Sequence, residues 1–355
     1  MLPAPNDVID PDTGVTPRPQ TAPALLSIVC PAYNEADTIV AFHKAVSKTM
    51  RRLAQPFEIV FVNDGSLDLT LLKMRELRNI HPNTTIVDMS RNFGKEIALT
   101  AGLDHARGDA VVVMDADLQD PPYVIEDMIA GWRKGYDVVY GQRLTRAGES
   151  WLKKATAAAF YRMMRHVGPT PIPENVGDFR LMSRKVVDAV CTLREQHRFM
   201  KGVFAWAGFP STTVQYDRAS REAGTTKWNY WKLWNLSLEG MTSSTLAPLK
   251  LSSYLGFVVA GFAFLLGVFY IVKKLIFGDP VQGFATLAAL TLFLGGVQLM
   301  VLGVMGEYLG RVFNETKQRP LYFTNAVEAS SVEAATGDMA TDEAGAASST
   351  GRSVA

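Results

Sequence analysis

The chain has 355 residues, and its 36 Lys and Arg balance 35 Asp and Glu, so no charge imbalance points to a nucleic-acid partner. Its two cysteines, Cys30 and Cys191, belong to no CxxC pair and no Cys/His cluster, which argues against a zinc site and against a disulfide framework. The length predicts two structural parts, and long apolar runs are concentrated in the C-terminal third.

Both ends of the chain have compositions typical of disorder. Residues 1–24 are rich in Pro, Asp and Thr and are predicted to form a disordered leader. No charged segment followed by an apolar one begins the sequence, so a cleaved secretory signal is not expected. A largely disordered tail is predicted for residues 320–355, because residues 327–355 consist mainly of Ala, Ser, Glu and Thr.

Short strand-forming runs alternate with helical stretches in the first half of the chain. The runs are residues 25–30, 58–62, 85–89, 110–114 and 137–140. This alternation predicts an α/β domain over residues 25–226, with a mostly parallel sheet covered on both faces. The first four runs are followed by PAYNE, NDGS, SRNFG and DADLQD. Ligands of such sheets bind beyond the carboxyl ends of the strands, so the four polar clusters should converge on one crevice.

Carboxylates dominate these clusters. Asp115 and Asp117 directly follow an apolar strand, where alternating carboxylates can hold a hard divalent cation against a diphosphate. Glu35 and Asp64 are acceptors suited to ribose hydroxyls or to the N–H of a base. Gly65 allows a tight turn and a close backbone approach. Each cluster alone also fits an ordinary turn or helix cap, so their common order carries the prediction.

Two later segments have aromatic and basic residues on helical patterns. Residues 151–167 are predicted to form an amphipathic helix that ends before Gly168 and Pro169. Residues 227–250 mix Trp, Tyr, Lys and Leu, which predicts interfacial amphipathic helices lying on a membrane surface. The alternative is that these aromatic side chains pack on the α/β core.

Two uncharged stretches follow, at residues 254–272 and 284–304. Each is long enough to cross a hydrocarbon core of about 30 Å as a helix, and the short spacer predicts a transmembrane hairpin within residues 251–319. The alternative is a pair of buried core helices. The outer flanks are more basic than the spacer, which places the α/β domain in the cytoplasm. The basic residues of the flanks are Lys227, Lys232, Lys250, Arg311, Lys317 and Arg319.

The ordered motifs resemble those of the family-2 inverting glycosyltransferases. These motifs are PAYNE, VNDGS, SRNFGKEIALTAGLDHARGD, MDADLQDPP, GQR and GDFRLMSR, and the resemblance extends over about residues 25–319. More narrowly, they are similar to the polyprenyl-phosphate branch, which includes dolichol-phosphate mannose synthases and bactoprenol glucosyltransferases. The resemblance implies a GT-A-type, Rossmann-like fold and a cytoplasmic membrane location.

The resemblance also implies roles for individual residues. The residues implied to bind the nucleotide sugar are Pro31, Tyr33, Glu35, Asp64, Asp115, Arg221 and Lys227. Those implied to hold Mg²⁺ or Mn²⁺ are Asp115, Asp117 and Gln119. Those implied to act at the reaction centre are Asp117, Asp178, Arg143 and Arg180. In the REAGTTK segment Thr226 stands where the family has a serine, a departure that keeps the hydroxyl.

The expected activity is transfer of a sugar from a nucleotide sugar to a polyprenyl phosphate, with inversion. UDP-glucose or a related hexose is the favoured donor, GDP-mannose is an alternative, and a homo-oligomer is expected. One rival is a processive polysaccharide synthase, whose QxxRW motif requires an Arg-Trp dipeptide that this sequence lacks. The other rival is a non-catalytic membrane scaffold, against which the carboxylates at 115, 117 and 178 argue.

Overall fold

The computed structural model describes residues 23–144, 176–196, 198, 200–217, 247–277 and 283–331. Four predicted features therefore lie wholly or largely outside the described residues: nearly all of the leader, the helix over residues 151–167, residues 227–246 of the interfacial segment, and residues 332–355 of the tail.

The first four strands form the parallel part of one sheet. They are β1 (Leu26–Ala32), β2 (Phe57–Asn63), β3 (Thr84–Met89) and β4 (Ala110–Val113). Strand β1 lies between β4 and β2, and β3 pairs with β2, all in parallel. These strands are buried along almost their whole length, as expected for a parallel sheet covered on both faces. The predicted strand positions and the mostly parallel α/β fold are confirmed.

Four further strands extend the sheet on both sides. They are β5 (Val138–Arg143), β6 (Val176–Ser183), β7 (Ser211–Tyr216) and β8 (Thr324–Glu328). The strand order is β7-β5-β6-β4-β1-β2-β3-β8. Strand β6 runs antiparallel to both β4 and β5, whereas β7 is parallel to β5 and β8 is antiparallel to β3.

Helices cover both faces of the sheet. They are α1 (Ile39–Arg52), α2 (Thr70–Ile80), α3 (Lys95–His105), α4 (Ile125–Arg133), α5 (Arg184–Thr192) and α6 (Met200–Trp206). Side chains alternate along β1, so Ile28 and Cys30 join the core under α1 and α4, while Val29 joins the core under α3. The helices leave the carboxyl edge of the sheet to the polar loops.

Two long apolar helices follow the α/β part of the chain. They are α7 (Ala247–Phe277) and α8 (Phe284–Thr316). The stretches Ser252–Phe269 and Phe293–Thr316 are long and apolar enough to cross a membrane by length and composition, and neither is buried within the protein. Both helices extend beyond the predicted segments 254–272 and 284–304. The transmembrane hairpin itself stays a prediction.

The chain returns to the sheet after α8, which differs from the predicted tail. Strand β8 pairs antiparallel with β3, and the Arg75 guanidinium donates to a Glu328 carboxylate oxygen at 2.8 Å. Beyond the strand, the Ser330 hydroxyl lies 3.2 Å from the buried Glu58 carboxylate. Composition does not reveal this strand, because its stability depends on pairing with a partner more than two hundred residues earlier in the chain.

Candidate active site

Strand direction brings the predicted motifs to one edge of the sheet. The carboxyl ends of β1 to β5 lie at this edge, so the loops after β1, β2, β3 and β4 meet there. Strand β6 runs in the opposite direction, and Arg180 pairs with Val113. The start of β6 is therefore beside the end of β4, which delivers Asp178 to the same edge as Asp115.

The PAYNE and NDGS loops are joined by hydrogen bonds. Asn34 has a left-handed φ of 55°, and its side-chain oxygen accepts from the Leu67 N–H at 2.9 Å. In return, the Ser66 hydroxyl accepts from the Asn34 N–H at 3.0 Å. Glu35 accepts from the Thr38 hydroxyl at 2.8 Å, and the Tyr33 side chain beside it is 43% exposed. These contacts fix the two loops and leave an aromatic ring facing solvent.

Asp64 connects the NDGS loop to the SRNFG loop. Its carboxylate accepts from the backbone N–H groups of Phe93 at 2.7 Å and Gly94 at 3.0 Å, at the N-terminus of α3. Burial raises the pKa of Asp64, although these two hydrogen bonds oppose the rise. Gly65 has a φ of 62°, and a Cβ there would lie 2.4 Å from the Arg91 carbonyl carbon. A glycine is therefore required for the two loops to pack.

A lysine joins two of the predicted acidic residues. The Lys95 ammonium lies 2.7 Å from one Asp115 carboxylate oxygen and 2.6 Å from an Asp178 oxygen. Burial alone would lower the pKa of Lys95, but the two carboxylates outweigh it and hold that pKa above its usual range. Burial and the charge of Asp178 raise the pKa of Asp115, while Lys95 opposes the rise. The site therefore holds a lysine cation between two acids from different strands.

The DADLQD turn presents a limited set of oxygen ligands. Leu118 adopts a left-handed φ of 55°, and the Asp117 carboxylate accepts from the Gln119 N–H at 3.2 Å. Gln119 is buried, and its side-chain nitrogen Nε2 has no hydrogen-bond partner among the residues described. Within that same part of the chain, no cluster of three or more His, Cys, Asp or Glu side chains surrounds a point where a metal could bind. Two carboxylates and one amide fit a cation that takes its other ligands from a diphosphate and water.

Arg143 belongs to a second charged group at the same edge. Its guanidinium lies 3.5 Å from the Asp120 carboxylate and 3.4 Å from the Tyr216 hydroxyl, which itself donates to Asp120 at 2.5 Å. Asp120 raises the pKa of Arg143 against the effect of burial, so the guanidinium stays charged. A Cβ on Gly177 would lie 2.8 Å from an Arg143 nitrogen, so this glycine leaves space for the guanidinium next to Asp178.

Arg180 is placed differently from the other predicted residues. It lies in the middle of β6 rather than in a loop, and its side chain is 1% exposed. Its guanidinium donates to the backbone carbonyls of Gly177 at 2.9 Å and Asp178 at 3.1 Å, and it lies over the Phe204 ring. Arg180 therefore fixes the backbone that carries Asp178, and this geometry does not offer its guanidinium to a ligand.

The remaining predicted residues divide into two groups. Pro31 and Tyr33 lie at the end of β1 and in the loop after it, as expected, whereas Arg221 and Lys227 lie outside the described residues. Sequence reasoning missed Lys95 and Tyr216. The position of Lys95, directly after SRNFG, was a usable signal because the first residue of a helix after a strand lies at the carboxyl edge. Tyr216 had no local signal, since its partner Asp120 is 96 residues away.

Comparison with known proteins gives one family. Residues 27–191 match the family described as Glycosyl transferase family 2. An uncharacterized glycosyltransferase of Synechocystis sp. is 49% identical over 300 residues, which is 84% of this chain and 94% of that protein. The bactoprenol glucosyl transferase of Shigella phage SfV is 47% identical over 297 residues, 84% of this chain and 97% of its own length. A prophage bactoprenol glucosyl transferase homolog of Escherichia coli K12 is 46% identical over 303 residues, 85% of this chain and 99% of that protein.

Among solved structures the likeness is remote. A Pyrobaculum calidifontis mannosyltransferase in complex with GDP-Man and Mn²⁺ has a TM-score of 0.41 and 17% identity, and the match covers 81% of this chain and 89% of that one. At this score the likeness carries no conclusion about the site.

Proposed function

Because the chain belongs to glycosyl transferase family 2, we propose that it transfers glucose from UDP-glucose to a polyprenyl phosphate, with inversion, at the cytoplasmic face of a membrane. The observation that carries this proposal is the likeness to the Shigella phage bactoprenol glucosyl transferase, which extends over 84% of this chain and 97% of that protein at 47% identity. The acidic crevice at the carboxyl edge supports it, since such edges bind nucleotides in parallel sheets.

We assign the donor to the two halves of this crevice. Pro31, Tyr33, Glu35 and Asp64 lie on the nucleoside side, where the loops are already fixed by hydrogen bonds. Asp115 and Asp117, with Gln119, would hold Mg²⁺ or Mn²⁺. When bound, such a cation supplies positive charge that neutralises the diphosphate as it becomes the leaving group.

The chemistry of the proposed acceptor removes the need for a strong general base. A lipid phosphate is largely ionised near neutral pH, so its oxygen can attack the anomeric carbon directly. The new bond joins that oxygen to the sugar while the bond from the sugar to the nucleoside diphosphate breaks on the opposite side. Arg143, with Arg221 and Lys227, is suited to bring the two anions together. Asp178 would orient the sugar or the acceptor rather than accept a proton.

A membrane location is favoured by the way the chain leaves the long helices. Helix α8 ends at Thr316, and only seven residues precede β8, which begins beside Met89 at the carboxyl edge. Seven residues reach at most roughly 25 Å, so the end of α8 lies near the edge that bears the site. If α8 spans the bilayer, its end and the crevice lie near the membrane surface. A lipid acceptor anchored in the bilayer could then present its phosphate to the crevice. The interfacial helices over residues 227–250 and a homo-oligomeric state are part of the same proposal.

An activity assay tests the reaction. The purified protein in detergent would be given radiolabelled UDP-glucose, polyprenyl phosphate and Mn²⁺, with labelled GDP-mannose as a parallel donor. We expect one labelled hexose per lipid, released by mild acid. A ladder of longer products would favour a processive synthase, and the absence of turnover with every donor would favour a non-catalytic scaffold.

A labelling experiment tests the topology. With both termini in the cytoplasm, a Gly278→Cys variant should react with an impermeant maleimide added from outside, and a Ser349→Cys variant should not. The native thiols contribute little background, because Cys30 is buried and burial raises the pKa of Cys191 to about 12. A Cys191→Ser background removes the remaining reaction. Protection of residue 278 together with labelling of residue 349 would reverse the orientation.

A further inference from the structure

Three charged side chains meet where the donor diphosphate is proposed to bind. Lys95 is the first residue of α3, Asp115 follows β4, and Asp178 lies near the start of β6. The Lys95 ammonium contacts both carboxylates, at 2.7 Å and 2.6 Å. Its side chain is 46% exposed, so it is accessible from the crevice.

The arrangement has a simple electrostatic reason. Two carboxylates that converge in a partly buried edge repel each other, and the repulsion is larger there than in water. A cation between the two carboxylates offsets this repulsion, and the Lys95 ammonium is such a cation. The same location next to Asp115 is also suited to a divalent cation, so a metal ion and the ammonium would compete for one carboxylate.

We propose that Lys95 is the resident counter-ion of the donor site, and that it releases Asp115 to the divalent cation only when a nucleoside diphosphate binds. This inference rests on the proposed nucleotide-sugar donor. The lysine stem is flexible, so the ammonium can stay on Asp178 and turn towards the diphosphate oxygens. The negative charge of the diphosphate then replaces that of Asp115 as the partner of Lys95.

Metal binding and nucleotide binding then depend on each other through Lys95. Without a nucleotide, a divalent ion must approach a carboxylate that is already paired and an ammonium that repels it. With a nucleotide bound, Asp115 is no longer paired with Lys95, and the diphosphate charge offsets the repulsion by the ammonium. Lys95 thus acts at the donor site by coupling two ligands, and this coupling can be measured in both directions because it is a property of the equilibrium.

The experiment is a titration of the full-length protein in detergent with Mn²⁺, followed by electron paramagnetic resonance of the free ion. It would be done without nucleotide, with UDP and with GDP. For the wild type we expect weak Mn²⁺ binding alone and much tighter binding with one of the nucleotides. For Lys95→Met we expect Mn²⁺ alone to bind at least about tenfold more tightly, because a neighbouring positive charge is gone. The gain from the nucleotide should shrink by a similar factor.

Matched variants keep the interpretation clear. Lys48→Met makes the same substitution at an exposed position of α1 and should leave both affinities unchanged. Lys95→Arg keeps the charge and should behave like the wild type with Mn²⁺ alone. A thermal melt identifies the variants that keep the fold, and Lys95→Gln provides a polar replacement if the methionine variant fails to fold.

Unchanged or weaker binding of Mn²⁺ alone by folded Lys95→Met and Lys95→Gln would overturn the proposal. The titration uses neither a sugar nor a lipid, so its result is separate from that of the transfer assay. A tighter Mn²⁺ site in Lys95→Met, with no effect of either nucleotide on any variant, would support the counter-ion and contradict the proposed donor class.

Discussion

The two halves of the crevice use their carboxylates in different ways. On the side proposed to bind the nucleoside, which we call the nucleoside side, Asp64 and Asp68 accept from backbone N–H groups of neighbouring loops. On the reaction side, Asp115 and Asp178 share a lysine, and Asp120 is paired with Arg143. The first half is fixed by short-range hydrogen bonds to the backbone, which a ligand does not replace. The second half is held by side-chain charges, which a ligand with its own charges can exchange.

This difference indicates that the two sides contribute to ligand binding in different ways. A rigid loop framework lowers the entropy cost of binding a nucleoside, because its geometry exists before the ligand arrives. Paired charges instead keep the reaction side compact until anions and a cation enter. Substitutions on the nucleoside side should therefore mainly lower stability, and substitutions on the reaction side should mainly lower turnover.

The largest effect is expected on the reaction side, for Asp117→Ala. Loss of this carboxylate should reduce transfer by about a thousandfold or more and weaken donor binding, because the charge of the leaving diphosphate is no longer neutralised. The fold should be retained, since the Asp117 side chain is partly exposed. Initial rates and a thermal melt measure the two quantities, with Asp127→Ala on the exposed surface of α4 as the control. Normal turnover of the variant in the presence of a chelator would remove the metal from the proposal.

A smaller effect, and one mainly on stability, is expected on the nucleoside side for Gly65→Ala. The new methyl group would meet the Arg91 backbone at 2.4 Å in a left-handed conformation, so we expect a loss of about 2 to 4 kcal/mol and a raised KM for the donor. Gly208→Ala is the matched control. That residue has a φ of 68°, close to that of Gly65, and the added carbon would come no nearer than 3.7 Å to another atom, so it isolates the backbone strain of about 1 kcal/mol. Equal melting temperatures for the two variants would argue against the tight packing of the two loops.

The smallest effect is expected for Gly177→Ala, again on the reaction side. The atoms nearest to its added carbon belong to the end of the flexible Arg143 side chain, so the guanidinium should move and the fold should persist. We expect kcat to fall by about tenfold, with a stability change of less than about 1 kcal/mol. A double-mutant cycle checks the cause, because Gly177→Ala should have no further effect in an Arg143→Ala background. Additive losses in kcat would show that Gly177 acts independently of Arg143.

The sequence predicts the features that depend on neighbouring residues, and it does not predict those that depend on contacts between distant strands. The strands β1 to β5 and the loops that follow β1 to β4 are predicted correctly, because each depends on a local apolar run and each of these loops begins with a polar cluster. The joining of Lys95 to Asp178 is not predictable in this way, because it requires knowing that β6 enters the sheet antiparallel beside β4. Arg180 is the clearest case. The family resemblance implies a place for Arg180 at the reaction centre, yet its strand position buries it against Phe204.

Strand β8 has a consequence for how the protein is made. The sheet receives its last strand only from residues 324–328, which leave the ribosome after both apolar helices. Until then β3 is an open edge of the kind that promotes unwanted pairing between chains. During the same interval the Arg107 and Glu58 pair lacks Ser330, which later contacts both residues. The N-terminal half of the enzyme therefore completes its folding only after both apolar helices have been synthesised.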